Sequence, residues 1–259
     1  MYRLAVATVG ALEVLEGADE LRPAAWLTEI IRTFAVNLGS LLPDTYGAYA
    51  RVLHPAFDGE MSVSWADIAR ANGKVAHPQM QFTRLVGSAS RYESGYRARQ
   101  PGLFDKAPEV GSLPPDTAAA LARVLARHTD TPDRCWFGVW HGRGDLHEAF
   151  RGRPTFGLPN REYHLARGAV AAAVQSVGEP DFPCPPYPPR SVNLWWPADH
   201  AWCVATEIDL DSTYLGGSEE CIEDLLAEPE LESVALALDA GITADSDVLN
   251  VVAERAQEP

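Results

Sequence analysis

Residues 193–217 read NLWWPADHAWCVATEIDLDSTYLGG, and the second half of this stretch decides the fold. Trp202, Val204, Thr206 and Ile208 alternate with Cys203, Ala205, Glu207 and Asp209. Period-two alternation rich in β-branched and aromatic residues marks a half-buried strand. Pro197-Ala198-Asp199 breaks the chain before it, and Gly216-Gly217 breaks it after. One face of such a strand buries an indole, a Val and an Ile, and the other presents carboxylates that continue through Asp211. The expectation is a central strand in a single α+β domain, with a mostly antiparallel sheet and helices packed on one side.

Working outward, Trp26, Leu27, Ile30, Ile31, Phe34 and Leu38 recur at helical spacing behind Pro23, which predicts a helix over 23–38. Residues 1–42 therefore read as an N-terminal helical extension and 43–259 as the α+β domain with an acidic C-terminal segment. Residues 49–54 read as a strand stopped by Pro55. Ser64 caps a short helix over 65–72, with Asp67 at the capping-box position and Gly73 closing it. Residues 88–113 lack periodicity and read as a long loop. Pro114-Pro115-Asp116 starts a helix that runs to about His128, and CWFGVW at 135–140 reads as a buried strand. Residues 163–165 suggest another strand, 169–177 a small Ala-rich helix, and 180–189 a stiff proline-rich connector. Ser218 caps a helix whose first turn carries Glu219 and Glu220, where the helix dipole favours acids.

Charge is the informative part of the composition. The net charge is −15, from 36 acids and 21 bases. Residues 207–259 hold 15 of those acids against Arg255 alone, a net −14. Nucleic acid is a poor partner for such a surface, because phosphate binding needs Lys and Arg, and none is expected. A basic protein or a divalent cation suits it. No run approaches the ~18 apolar residues that span a bilayer, and the N-terminus lacks a secretory signal pattern. Cys135, Cys184, Cys203 and Cys221 are widely spaced, which fits reduced thiols and a cytoplasmic address.

The leading candidate site is the run Glu207, Asp209 and Asp211, three carboxylates on one strand face at ~7 Å steps. They are read first as a binding surface; as an alternative they ligate a divalent metal, since three oxygen ligands suit Mg²⁺, Mn²⁺ or Ca²⁺. Trp195 and Trp196 join the binding candidates, because two adjacent rings in irregular chain are hard to bury together. His141 and His147, with Asp145 between them, match none of the tight zinc spacings. His54 and His77 each precede a proline and have no identifiable catalytic partner. No G-x-S-x-G elbow or phosphate-binding G-x-x-x-x-G-K occurs. Cys203, with His200 nearby, reads as an inert core thiol.

The 193–217 block, with YARVLHPA at 49–56 and HTDTPDRCWFGVW at 128–140, resembles a family of uncharacterised actinobacterial proteins over roughly residues 43–250. That resemblance implies no activity, cofactor or catalytic residue. The expected function is a non-catalytic binding module, immunity- or regulator-like, that needs no cofactor and presents an acidic surface to a basic partner. The alternative is a metal-assisted hydrolase or transferase using Glu207, Asp209 and Asp211.

Overall fold

A computed structural model of the 259-residue chain describes residues 7–88, 91, 99–179 and 189–251. The first strands are β1 (Thr8–Val9), β2 (Leu12–Val14), β3 (Ala48–Leu53), β4 (Ala56–Asp58), β5 (Met61–Val63) and β6 (Cys135–Trp140). They are followed by β7 (Thr155–Leu158), β8 (Arg161–Gly168), β9 (Leu194–Pro197), β10 (Cys203–Thr206), β11 (Ser212–Gly217) and β12 (Ser233–Ala235). The α-helices are α1 (Ala25–Ile30), α2 (Trp65–Ala71), α3 (Phe82–Leu85), α4 (Pro115–Leu125) and α5 (Glu219–Leu226). The helix starts follow the capping chemistry. Ser64 Oγ accepts from Asp67 N at 3.0 Å, Ser218 Oγ accepts from Cys221 N at 3.2 Å, and Pro115 occupies the first turn of α4.

Among the described residues ten strands make one sheet, in the order β1-β2-β8-β6-β9-β10-β11-β3-β12, with β7 sharing an edge of β8 with β2. Every pairing is antiparallel. β4 and β5 form a separate two-stranded ribbon. The α+β fold and the antiparallel sheet are thus as the sequence leads one to expect.

Both faces of this sheet are covered. On one face Trp195, Trp202, Val204 and Leu215 pack with Leu121 and Leu125 of α4 and with Ile222 and Leu225 of α5, the two longest helices. On the other, Trp196, Cys203, Ala205 and Tyr214 meet Leu27, Ile31, Leu38 and Leu42 from the N-terminal segment. A satellite cluster of Trp65, Ile68, Phe82, Leu85 and Phe104 lies beneath the β4–β5 ribbon.

Two-sided burial corrects the reading of Trp195 and Trp196 as surface binding residues. They sit in β9, between β6 and β10, so neighbouring side chains enter opposite cores and both are fully buried. The N-terminal helix is also shorter than its apolar spacing predicts. A 3-10 turn over Ala18–Ala24 leads into α1, which stops at Ile30. Before it, β1 and β2 form a hairpin that joins the sheet through Glu13↔Arg167 and Val14↔Ala166. The described part of 1–42 is therefore woven into the domain. The Ala-rich stretch makes a 3-10 helix over Val170–Val174, and residues 180–188 of the proline-rich connector lie outside the described residues.

Trp202 fastens α4 to the sheet: its indole N–H donates to Leu125 O at 3.0 Å. The indole N–H groups of Trp195 and Trp196 are buried without an acceptor. Trp202→Phe is expected to destabilise by ~1 kcal/mol more than Trp195→Phe, because only the former removes a satisfied hydrogen bond, the Leu125 carbonyl keeping its bond from His128 N. Urea unfolding of the two variants measures the difference.

Candidate functional site

The carboxylate run does not lie on one strand face. β10 ends at Thr206, and residues 207–211 turn the chain back into β11, with Leu210 N bonded to Glu207 O at 3.1 Å. The turn is held by Gly111, whose N–H donates to Leu210 O at 2.8 Å. A Cβ at Gly111 would sit 2.3 Å from Ile208 O, and its φ of +71° also favours glycine.

The turn sends its acids to different arginines. Arg161 binds Glu207 through Nε at 3.1 Å and Nη2 at 2.5 Å, and Nη2 also reaches Asp209 Oδ2 at 3.0 Å. The same guanidinium lies over the rings of Phe34 and Trp140, at 5.4 and 6.0 Å from their centroids. Burial pushes the Glu207 carboxyl up from the usual range, against the pull of Arg161. Asp211 faces away from this group, with Arg91 Nη2 at 3.5 Å and Arg51 Nη2 at 4.0 Å.

Arg51, on β3, is 2% exposed. Its Nε donates to Ser212 Oγ at 2.9 Å, and Nη1 donates to Met80 O at 2.7 Å and Pro78 O at 3.2 Å. The Trp65 ring lies 5.1 Å from its guanidinium carbon. These are fold-building pairs. The expectation that Glu207, Asp209 and Asp211 share one face, as a binding surface or a metal set, is corrected by the end of β10 at Thr206 and by the arginines that take up all three. Among the described residues no three His, Cys, Asp or Glu side chains come together in a way that could hold a metal ion.

The histidines are dispersed as well. His141 Nδ1 lies 3.0 Å from His164 Nε2, while His147 Nδ1 accepts from Ala149 N at 3.1 Å as the cap of a 3-10 turn. Asp145 pairs with Arg190 at 2.7 Å. His200 occupies the turn before β10, its ring stacked on Trp26 at 4.2 Å between centroids. Cys203 is buried in the core, and desolvation pushes its thiol far above the ordinary range. His77 bonds Asp247 at 2.8 Å. His54 is fully buried: its Nδ1–H donates to Glu109 O at 2.6 Å, so Nε2 accepts from the Thr213 hydroxyl at 2.9 Å.

What the sequence reading missed is a cleft of about 470 Å³ beside the β4–β5 ribbon. Leu53, Pro55, Phe57, Val63 and Leu113 supply its apolar wall, and the start of α4 and the 229–232 segment close it. Six carboxylates line it, those of Glu60, Asp67, Glu109, Asp116, Glu230 and Glu232, against one base, Lys106. Four of the six are engaged. Glu232 caps α2 by accepting from Trp65 N at 2.6 Å and Ala66 N at 2.9 Å. Asp67 pairs with Arg70, Glu109 with Lys106, and Glu230 with Arg123. Glu60 and Asp116 are exposed and stand outside every ion pair among the described residues.

The chain matches no known family, no curated protein and no solved structure. The chemistry must therefore be read from the side chains.

Two outcomes test this account. Asp211→Ala should cost ~3 kcal/mol or more, since it strands a buried guanidinium, whereas Asp209→Asn, at a side chain 67% exposed, should change stability by less than ~1 kcal/mol. Chemical denaturation of both variants checks the contrast. Burial lowers the His54 pKa from 6.5 to about 4, so the unfolded chain binds the extra proton between those values. This contribution is complete above pH 6.5 and is lost as pH falls toward 4. It should amount to on the order of 3 kcal/mol, seen as the difference in slope between the native chain and His54→Gln in urea titrations from pH 7 to 4.

Proposed function

We propose that this protein is a non-catalytic binding module whose acidic C-terminal face engages a basic protein partner. The observation that carries this reading is the outer side of α5. Ile222 and Leu225 turn inward, while Glu219, Glu220 and Glu223 are exposed and carry no ion pair among the described residues. The neighbouring acids differ: Glu207, Asp209 and Asp211 are already met by arginine, and Asp224 is met by Arg127 at 3.5 Å and His128 at 2.9 Å. Free carboxylates on a rigid helix steer and orient a cationic surface without any catalytic group.

The thiols support the same reading. Cys135, Cys203 and Cys221 are free and buried, and desolvation pushes Cys135 and Cys221 up to about 12, which leaves them poor nucleophiles at neutral pH. Free, reduced thiols also suit the cytoplasmic setting we assign to it. No helix among the described residues is long and apolar enough to cross a membrane.

Oligolysine is a suitable probe. Its affinity should fall at least ~10-fold between 50 and 300 mM salt, and the triple variant Glu219→Gln, Glu220→Gln, Glu223→Gln should weaken it at low salt. Calorimetric titration reads both. Association indifferent to salt and to the triple variant would exclude the reading.

A further inference from the structure

We infer that the cleft beside the β4–β5 ribbon receives an extended basic segment of another protein, in which cationic side chains alternate with apolar ones. The inference rests on the binding-module reading above and gives it a location and an occupant.

The shape comes first. At about 470 Å³ the cleft is in the size range of binding sites, and its wall of Leu53, Pro55, Phe57, Val63 and Leu113 offers hydrocarbon to whatever enters. A ligand that is charged throughout leaves that wall wet. Charge decides the sign: among the described residues, Glu60 and Asp116 are the carboxylates around the cleft that neither an ion pair nor a side-chain hydrogen bond engages. They belong to the ribbon and to α4 respectively, and no converging set of three ligands occurs among the described residues. A single divalent ion is therefore a poor occupant, and spaced cations are a good one. A linear polyamine supplies spaced cations but is only one methylene wide, too thin to cover the apolar wall.

The backbone argues for an extended peptide. Phe57 exchanges bonds with Lys106, N to O at 2.9 Å and O from N at 3.1 Å, so its peptide groups point away from β5. In an antiparallel ribbon its cross-strand partner, Ser62, has the same orientation on the opposite edge. Ser62 lines the cleft, and β5 has no further strand beside it among the described residues. An entering strand finds a donor and an acceptor there, the mode of peptide capture by strand addition. Alternation in the guest then sends one set of side chains to the apolar wall and the other to the acidic rim.

The test uses the full chain and labelled octapeptides at low salt, with binding read by fluorescence anisotropy and located by hydrogen exchange. An alternating Arg-Leu peptide should bind and protect residues 60–64 and 113–117. Arg-Gly and backbone N-methylated Arg-Leu peptides should bind ~10-fold or more weakly. The double variant Glu60→Gln, Asp116→Asn should weaken Arg-Leu binding by a similar factor, and Glu29→Gln on α1 should leave it unchanged. Unaltered melting temperatures show that the variants fold. Binding that survives the double variant, or protection confined to 219–226, overturns the cleft while leaving the acidic-face reading intact. Equal binding of the Arg-Gly or N-methylated peptide overturns the occupant. If no cationic peptide binds even at low salt, both readings fall.

Discussion

The guanidinium of Arg51 is buried, and the surrounding structure is arranged to meet it. A buried cation is tolerated only when its donors are satisfied and its charge is opposed. Ser212 and the carbonyls of residues 78 and 80 accept from it, Asp211 lies 4.0 Å away, and the Trp65 ring covers one side. These partners come from β11, from the loop before α3 and from α2. One side chain on β3 thereby joins the main sheet to the satellite cluster beneath the ribbon. Asp211 and Ser212 accordingly arrive beside β3 with their side chains facing Arg51.

Elements whose signals are local were legible in the sequence. Ser64 and Ser218 cap helices, Pro115 opens another, and CWFGVW is the buried strand its composition implies. The readings that failed depended on the other side of the sheet. Alternation from Trp202 onward has the period of a strand, yet the hairpin turns after Thr206, because Glu207 and Asp209 are drawn to Arg161 on β8. That partner lies 46 residues away from Glu207, and nothing in the local pattern points to it. Trp195 and Trp196 are hard to bury together only if one face is wet. Closure of the second face by Leu27, Leu38 and Leu42 removes that premise, and their apolar spacing looks the same whether the helix stands apart or packs down.

A composition-level charge is thus a poor guide to an available charge. Most of the net negative charge is written into the last fifth of the chain, but the turn acids are spent on internal arginines and Glu232 on the start of α2. Exposed acids outside every ion pair among the described residues include those on the outer side of α5, with Glu60 and Asp116 at the cleft. Those two escaped notice for a physical reason. A Glu in a hairpin turn and an Asp after Pro-Pro at a helix start are what local backbone chemistry favours anyway. Only the tertiary structure brings them to one opening.

The position of β3 between β11 and β12 has a consequence for biogenesis. Arg51 and Ser212 are separated by 161 residues, so β3 emerges from the ribosome long before either of its neighbours exists. Until translation nears its end, an apolar strand carrying an unmatched cation has both edges open. Such long-range pairing slows folding and exposes the nascent chain to misassociation. Chains arrested before residue 212 should therefore depend on chaperones, a vulnerability set by strand order.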